Sequence, residues 1–186
     1  MNAKKTNRLS RRLSFLLRHG AAAEGVAMDA AGWVRIADVL AWAGIERPAL
    51  DRIVAENTKR RLQVAGERIR ASQGHSLGSV PVTREALEAS WERIEGRAEW
   101  LVHGTRAELV DTILQQGLRP MDRTHVHLAA GLDSRVGKRA NVAAHLWVVP
   151  AELEAAGVAL FRSPNGVYLC REVPPSALRE APPQAR

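Results

Sequence analysis

The sequence has a single cysteine and no long hydrophobic run, and each shortage excludes a class of structure. Cys170 has no second cysteine to pair with, so an internal disulfide is excluded. No apolar stretch approaches the roughly 18 residues that a membrane-spanning helix needs, and no apolar signal core follows the basic N-terminus. We therefore expect a cytoplasmic protein without a membrane partner, and we expect a monomer.

Metal-ligating residues are sparse as well. The six histidines and the cysteine are scattered without the spacing of a zinc site. His125 and His127 can share one face of a strand, but the sequence offers no evident third ligand. We expect no bound metal, and hydrogen bonding to a ligand is the better interpretation of this histidine pair.

Carboxylates are in short supply only in the first part of the chain. Residues 1–80 hold 14 lysines and arginines against 7 aspartates and glutamates, whereas residues 81–186 hold 13 of each. The whole net charge of +7 therefore lies before residue 81. This asymmetry favours an anionic partner, nucleic acid first. A solvated basic face is the alternative, which charge alone does not exclude.

Hydrophobic spacing in the first part predicts three helices and a hairpin. An amphipathic helix is predicted over 8–19, with Gly20 at its end. An apolar segment over 33–40 and a helix that starts near Pro48 follow it. A glycine turn within 62–70 predicts a β-hairpin. This order of elements in a basic segment resembles a winged helix-turn-helix, which often binds nucleic acid.

The second part alternates predicted strands and helices, which indicates a mixed α/β lobe. A charged helix is predicted over 84–95. Thr105 and Glu108 have the spacing of a capping box, which predicts the start of a further helix that Gly117 ends. Strands are predicted over 100–103, 125–128, 145–149, 158–161 and 166–170.

Arg18 and His19 close the first predicted helix. On an α-helix Arg18 lies opposite the leucine stripe and His19 lies at its edge, so neither residue is needed for the core. The pair can bind an anion. The alternative is that two cations are placed favourably at a helix C-terminus.

The segment from Arg68 to Ser76 carries a dense group of polar side chains. Strand alternation turns Ile69 inward and both Arg68 and Arg70 outward. The strand leads into a turn whose backbone N–H groups and side chains can hold a phosphate or a ribose. The residues of this turn are Gln73, Gly74, His75 and Ser76. An ordinary polar turn is the alternative.

Two glycine-containing segments of the second part complete the candidates. His103, Gly104 and Thr105 end a predicted strand and start a helix, where a glycine allows the close approach of a phosphate. The alternative is that Thr105 is only a helix cap. Lys138 and Arg139 follow a glycine and can contact a phosphate or pyrophosphate. The alternative here is the end of a solvated helix.

Taken together, these segments resemble the RNA 2′-phosphotransferase family, of the tRNA-splicing type. The matching text is LSRRLSFLLRH at 9–19, MDAAGWVRIADVL at 28–40, RIRASQGHS at 68–76, LVHGT at 101–105, HVHLA at 125–129, VGKR at 136–139 and NGVYLCREVPP at 165–175. The resemblance covers nearly the whole chain, and RIRASQGHS is its most specific part. Gly20 departs from the family pattern, which usually has proline, and so does Ala140, where a histidine often follows the arginine.

The resemblance implies an α+β protein with two lobes. A winged-helix RNA-binding lobe would span 1–80, and an NAD-binding lobe similar to ADP-ribosyltransferases would span 81–186. The catalytic set that it implies is Arg18, His19, Arg70 and Arg139. The NAD-binding residues that it implies are His103, Gly104, Thr105 and His127, and the loop that would hold the substrate phosphate is Gln73, Gly74, His75 and Ser76. Val167 stands where protein-modifying relatives often carry a glutamate.

The chemistry that the resemblance implies is the removal of an internal 2′-phosphate from RNA with consumption of NAD. The phosphate attacks the anomeric carbon of the nicotinamide ribose, nicotinamide leaves, and an RNA-phospho-ADP-ribose intermediate forms. The ribose 2″-hydroxyl then attacks the phosphorus, which gives RNA with a 2′-hydroxyl and ADP-ribose 1″,2″-cyclic phosphate. The nucleophile is already anionic, so a missing glutamate at Val167 is no obstacle. No metal is required.

Two other functions stay open. One is a winged-helix nucleic-acid binder whose second lobe senses NAD or ADP-ribose without turnover. The other is an enzyme that ADP-ribosylates nucleic-acid ends by the first step alone. The intact set of four catalytic positions argues against the binder. Nicotinamide release in the presence of a 2′-phosphorylated oligonucleotide would distinguish an enzyme from a binder.

Overall fold

The computed structural model describes residues 3–134, 136–137 and 142–180. The chain forms two compact units, each of mixed α/β structure. The first unit holds the described residues up to Ser90 together with Asp122–Thr124, and the second unit holds the remainder from Trp91 onward. No helix in the described part of the chain combines the length and the hydrophobicity needed to cross a membrane.

The first unit contains four α-helices and a small sheet within its described residues. Its elements are α1 (Ala3–Phe15), a π-helical turn (Leu16–Gly20), β1 (Val34–Arg35), α2 (Ile36–Ala43), α3 (Arg47–Ala55), β2 (Leu62–Ala65), β3 (Arg68–Ala71) and α4 (Arg84–Glu88). The strands lie in the order β1-β3-β2, and both pairings are antiparallel. The core collects the leucine stripe of α1 with apolar residues of α2, α3 and the sheet.

Local sequence signals explain much of this unit. The expected hairpin is confirmed, because Ala65 pairs with Arg68 and leaves Gly66 and Glu67 as a two-residue turn. The helix expected at Pro48 is confirmed as α3, in which proline takes a first-turn position that needs no N–H donor. The apolar segment over 33–40 divides into the short strand β1 and the start of α2.

The first helix ends differently from the prediction. The α-helical hydrogen bonding stops at Phe15, and the chain continues through the π-helical turn, which includes Gly20. A π-helical turn bonds i to i+5 and is often found at functional sites. Because such a turn holds more residues than an α-helical turn, the angular positions of Arg18 and His19 differ from those expected on a continuous α-helix.

The second unit contains two antiparallel sheets. Its elements are β4 (Glu92–Ile94), β5 (Leu101–Thr105), a 3₁₀ turn (Ala107–Leu109), α5 (Val110–Gln116), β6 (Val126–Leu128), β7 (Ala144–Val148), α6 (Pro150–Ala155), β8 (Leu160–Arg162), β9 (Tyr168–Cys170), a second 3₁₀ turn (Pro175–Ala177) and β10 (Leu178–Arg179). The sheet orders are β10-β7-β5 and β4-β8-β9-β6. Reciprocal backbone hydrogen bonds between Val102 and Ala129 connect β5 to the end of β6.

Two expectations for the second part of the chain were wrong. The helix predicted over 84–95 ends at Glu88, and Glu92–Ile94 form strand β4, which pairs with β8. Two hydrogen bonds from Arg162 on β8 to Glu92 on β4 connect these strands. The charged side chains therefore stabilise β4 as the edge strand of its sheet. The predicted capping box is also absent, because Thr105 is the last residue of β5 and Arg106 precedes the 3₁₀ turn without a side-chain cap.

The boundary between the compact units follows Ser90, later than the division at residue 80 expected from the sequence. Contacts of the intervening segment explain the difference. The backbone N–H of Thr83 donates to Ala30, and the hydroxyl of Ser90 accepts from Arg70. These bonds attach α4 and its flanks to the first unit.

Candidate active site

Arg18 lies in the π-helical turn with much of its guanidinium buried. Its Nε and Nη2 atoms are buried and have no hydrogen-bond partner among the described residues. Burial, and then the positive charges of Arg61 and Arg123, lower the pKa of Arg18 to about 10. A buried cation beside further cations is costly unless a counter-charge neutralises it. The arrangement therefore favours an anion such as phosphate, which would supply both negative charge and acceptor oxygens.

His19 follows Arg18 in the same turn and contacts the loop formed by residues 73–76. Its Nδ1 lies 2.8 Å from the Oγ of Ser76. The backbone N–H of Ser76 donates to the carbonyl of Arg18 at 3.0 Å. Burial, and then the charges of Arg18 and Arg123, lower the pKa of His19, so its imidazole is neutral at neutral pH. The structure thus brings Ser76 against the neighbouring residues Arg18 and His19, although Ser76 lies 57 residues beyond His19 in the sequence.

The loop from Gln73 to Ser76 is held on a second side by the segment 122–124. The backbone N–H of Thr124 donates to the carbonyl of His75 at 3.1 Å, and Ser76 forms an isolated antiparallel bridge with Arg123. Gln73, Gly74 and His75 are buried. Backbone hydrogen bonds on both sides therefore fix the position of this largely buried loop.

Gly32 allows a neighbouring turn to pack against the same loop. Its φ of +82° is in the left-handed region, and a Cβ atom there would lie 2.7 Å from Nε2 of His75. The turn is stabilised by Asp29, whose Oδ1 accepts from the backbone N–H groups of Ala31 and Trp33, each at 2.9 Å. This turn places the Ala31 carbonyl and the Trp33 ring against Arg70.

Arg70 is buried, with 3% of its surface exposed, although strand alternation predicts an outward side chain. Its Nε donates to Gln63 at 2.8 Å, and its Nη1 donates to the carbonyl of Ala31 at 3.1 Å and to Ser90 at 2.8 Å. Its guanidinium lies 4.5 Å from the centroid of the Trp33 ring. Burial lowers the pKa of Arg70. Arg70 does lie on the face opposite Ile69 and outside the apolar core, but the expectation that it is exposed was wrong, because these groups cover that second face of the hairpin.

His103 and His127 come together in the second unit. The Nδ1 of His103 lies 3.1 Å from the carbonyl of His127, and the Nδ1 of His127 lies 3.0 Å from the carbonyl of His125. A carbonyl oxygen only accepts, so Nδ1 carries the proton in both hydrogen bonds. In the neutral imidazole, Nε2 is then the acceptor nitrogen of the ring.

Two glycines permit close packing around these histidine-bearing strands. A Cβ atom on Gly104 would lie 2.9 Å from Cγ2 of Val142. Gly137 has a φ of +82°, and a Cβ atom there would lie 2.4 Å from the carbonyl oxygen of Leu128. Thr105 is buried at the end of β5.

The remaining positions considered from the sequence are Lys138, Arg139 and Val167. Lys138 and Arg139 lie outside the described residues. Val167, which the resemblance aligns with a glutamate position of protein-modifying proteins, is fully buried. Within the described ranges, no cluster of three or more histidine, cysteine, aspartate or glutamate side chains could hold a metal ion.

Comparison with known proteins identifies the family. Residues 4–172 match the family model described as "RNA 2'-phosphotransferase, Tpt1 / KptA family". The chain belongs to the RNA 2′-phosphotransferase family. The family that seven short sequence motifs indicate is thereby confirmed.

Similar proteins from several bacteria carry the name "Probable RNA 2'-phosphotransferase". The chain is 37% identical over 189 residues to the protein of Streptomyces coelicolor, covering 96% of this chain and 97% of the relative. It is 35% identical over 202 residues to the protein of Burkholderia lata, covering both chains fully. It is 34% identical over 183 residues to the protein of Pseudomonas syringae pv. tomato, covering 94% of each.

In this member of the RNA 2′-phosphotransferase family, sequence reasoning missed two arginines near Arg18. Arg61 precedes β2, and its carbonyl accepts from the backbone N–H of Ser72. Arg123 lies two residues before His125 in the sequence but belongs to the first unit. The positive charges of both arginines lower the pKa of Arg18, although the two residues lie in segments that are distant from it along the chain. No local pattern could reveal that effect.

Proposed function

We propose that this chain removes an internal 2′-phosphate from RNA in a reaction that consumes NAD. The observation that carries the proposal is the buried guanidinium of Arg18, with two nitrogen atoms unpaired among the described residues and with Arg61 and Arg123 nearby. A phosphate would supply negative charge and acceptor oxygens to these arginines. Membership of the family supports RNA as the molecule that bears the phosphate. Arg139 completes the proposed catalytic set with Arg18, His19 and Arg70.

Each proposed residue has a distinct task at the phosphate. Arg18 binds phosphate oxygens, and its attraction to these oxygens strengthens as negative charge develops on them during phosphoryl transfer. His19 is neutral because of its lowered pKa, and its Nδ1 is held by Ser76. In the tautomer whose Nδ1–H donates to the Ser76 hydroxyl, Nε2 would accept the proton released when a hydroxyl attacks the phosphorus. The loop Gln73–Ser76 fixes the position of His19 and adds hydrogen-bond donors.

NAD would bind the second unit. The chemistry that NAD supplies is an electrophilic ribose carbon with nicotinamide as a neutral leaving group. His103 and His127 support this assignment, because their Nδ1 atoms donate to backbone carbonyls and so fix the orientation of two imidazoles next to each other in the second unit. Gly104 and Thr105, next to His103 on β5, complete the proposed NAD-binding set.

The charge distribution and the secondary structure of the chain support an assignment to two lobes. We assign RNA binding to a winged-helix lobe in residues 1–80, where the excess positive charge lies. Three helices and a hairpin-containing sheet support that assignment. We assign NAD binding to an ADP-ribosyltransferase-like lobe in residues 81–186, supported by its two antiparallel sheets.

One assay tests the proposed function. Purified protein is incubated with NAD and an oligoribonucleotide carrying one internal 2′-phosphate, and the products are separated by mass. We expect RNA with a 2′-hydroxyl, free nicotinamide and ADP-ribose 1″,2″-cyclic phosphate, with no loss of rate in EDTA. An oligonucleotide without the 2′-phosphate is the matched control.

The same assay separates the other functions. An ADP-ribosyl group that stays on the RNA, with nicotinamide released, would identify an enzyme that modifies nucleic-acid ends. NAD binding without nicotinamide release would identify a sensor. A rate that EDTA abolishes and added zinc or magnesium restores would contradict the expected independence from metal.

A second prediction concerns the NAD-binding histidines. We expect His103→Ala and His127→Ala each to raise the KM for NAD by about threefold to tenfold, because each removes one hydrogen bond worth roughly 0.5–1.5 kcal/mol. RNA affinity should change less. His145→Ala is the matched control, because His145 pairs with Gly104 and so faces the opposite side of the sheet from His103. Unchanged kinetic constants for NAD in both variants would show that the two histidines only stabilise the sheet.

A further inference from the structure

The exposed side of α1 presents an aromatic ring close to His19. The side chain of Phe15 is 57% exposed, and its ring centroid lies 5.7 Å from that of His19. Of the described large apolar side chains that are similarly exposed, Phe15 alone is aromatic. A phenylalanine usually buries its ring, so this exposure requires a reason.

The ring is positioned although it is exposed. Gly20 leaves room for it, because a Cβ atom at that position would lie 3.0 Å from Cε1 of Phe15. The ring also borders a cavity of about 590 Å³. This cavity is lined by Arg11, Arg12, Phe15, Glu24 and Trp42.

The walls of the cavity are held together by specific contacts. The guanidinium of Arg12 lies 5.0 Å from the ring centroid of Trp42. The indole N–H of Trp42 donates to Oε2 of Glu24 at 3.0 Å. Glu24 therefore accepts from the indole at the cavity wall, while the two arginines give the cavity its positive charge.

The arginines continue along the same side of the helix. Arg8, Arg11 and Arg12 are exposed and precede Phe15 by seven, four and three residues. This spacing places all four side chains on one helical face. The face therefore combines a row of cations with a flat aromatic surface that ends beside His19.

We propose that this face binds single-stranded RNA next to the 2′-phosphate, with one flanking base stacked on Phe15 and backbone phosphates paired with Arg11 and Arg12. The proposal rests on the proposed function and extends it to a substrate subsite. Single-stranded nucleic acid fits these groups because every base has a face that stacks on an aromatic ring, and its phosphates need cations. The position of Phe15 beside His19 connects this subsite to the proposed site of phosphate transfer.

The experiment compares Phe15→Leu with Phe15→Trp. Leucine keeps an apolar side chain but removes the aromatic face, whereas tryptophan keeps that face. The substrates are two oligonucleotides of equal length with one internal 2′-phosphate. One carries 2-aminopurine beside the phosphorylated nucleotide, and in the other the flanking nucleotides lack their bases. Val64→Ala is the control, because Val64 is also apolar and exposed but lies on the hairpin strand β2.

We expect the preference for the 2-aminopurine substrate over the one without flanking bases, measured as the ratio of kcat/KM values, to fall about 5- to 150-fold in Phe15→Leu. Stacking on an aromatic side chain is worth roughly 1–3 kcal/mol per base, which corresponds to that range. The fluorescence of 2-aminopurine should be quenched on binding to the parent and to Phe15→Trp, and less so with Phe15→Leu. Val64→Ala should behave like the parent.

Three results would overturn the stacking role. An unchanged preference in Phe15→Leu would show that no base stacks there. An equal loss on both substrates, with 2-aminopurine still quenched, would show that Phe15 positions His19 instead. Equal loss in Phe15→Leu and Phe15→Trp would exclude an aromatic requirement. If the parent quenches 2-aminopurine but removes no phosphate, the proposed function fails while the stacking subsite is retained.

Discussion

Replacing Arg18 with methionine should lower the rate of 2′-phosphate removal by about 100- to 1,000-fold or more, without lowering the melting temperature. The kinetic loss is the usual cost of removing one preorganised donor from a site where charge develops. The thermal result has a separate cause. Arg18 is a buried cation with two unpaired nitrogen atoms among the described residues, and Arg61 and Arg123 add to its unfavourable electrostatic energy. Methionine keeps much of the apolar stem and removes the charge.

The parent and the variant should also respond differently to phosphate. An anion that binds only the folded protein stabilises it by about 2.7 kcal/mol at 100 times its Kd. For a chain of this size, that corresponds to a rise in Tm of roughly 5–10 °C. Inorganic phosphate should give such a rise in the parent at sufficient concentration and a much smaller one in Arg18→Met.

Arg52→Met is the matched control for both measurements. Arg52 belongs to the same unit but is exposed near the end of α3, where burial does not penalise its charge. This variant should keep the parent's turnover and its response to phosphate. A fall of several degrees in the Tm of Arg18→Met would show that Arg18 contributes to the folded structure more than to anion binding. Parent-like turnover would exclude Arg18 from catalysis.

The parts of the fold that depend on local signals could be predicted from the sequence. The hairpin follows from a glycine turn between two short strands, and α3 follows from Pro48 with an apolar face behind it. The end of α5 follows from Gly117, whose φ of +82° is unfavourable for other residues. Each of these signals involves only a few adjacent residues, so no tertiary contact had to be known.

Elements that depend on tertiary contacts were predicted wrongly. The strand Glu92–Ile94 has a charged sequence that also suits a helix, and its pairing with β8 decides in favour of the strand. The spacing of Thr105 and Glu108 matches a capping box, but β5 extends through Thr105 by pairing with Ala144 on β7. In both cases a strand partner more than 35 residues away along the sequence overrides a local preference.

The residues of the candidate site also divide into those that sequence motifs predict and those whose environment depends on tertiary contacts. Motif order placed Arg18, His19 and the loop Gln73–Ser76 in one functional group, and the structure brings them together through His19 and Ser76. Helical periodicity could not predict the burial of Arg18, because it assumes an α-helix where the chain forms a π-helical turn. The contribution of Arg123 could not be predicted either, since it depends on a bridge to Ser76 from a distant segment.

Arg70→Ala should lower both stability and turnover. Strand alternation alone predicts an unchanged melting curve, because it turns Arg70 away from the core. The structure predicts a loss, because the variant leaves acceptors on Ala31, Gln63 and Ser90 without their donor and removes the cation-π contact with Trp33. Unsatisfied buried acceptors and a lost cation-π contact together suggest a decrease of about 2–4 kcal/mol in the free energy of unfolding. At this chain length, Tm should fall by roughly 5–15 °C.

Gln63→Ala separates the structural contribution of Arg70 from its proposed catalytic one. This variant removes one acceptor of Arg70 and keeps the guanidinium, so it should lower Tm by less and retain most turnover. For Arg70→Ala, turnover is measured well below its own Tm, so that the variant is folded. We expect RNA with a 2′-hydroxyl to form about 10²–10³ times more slowly, while nicotinamide release slows less, because the phosphorus oxygens gather charge in the second step. Parent-like turnover in the folded variant would show that Arg70 is a structural residue of the hairpin, and an equal slowing of nicotinamide release would place its action in the first step.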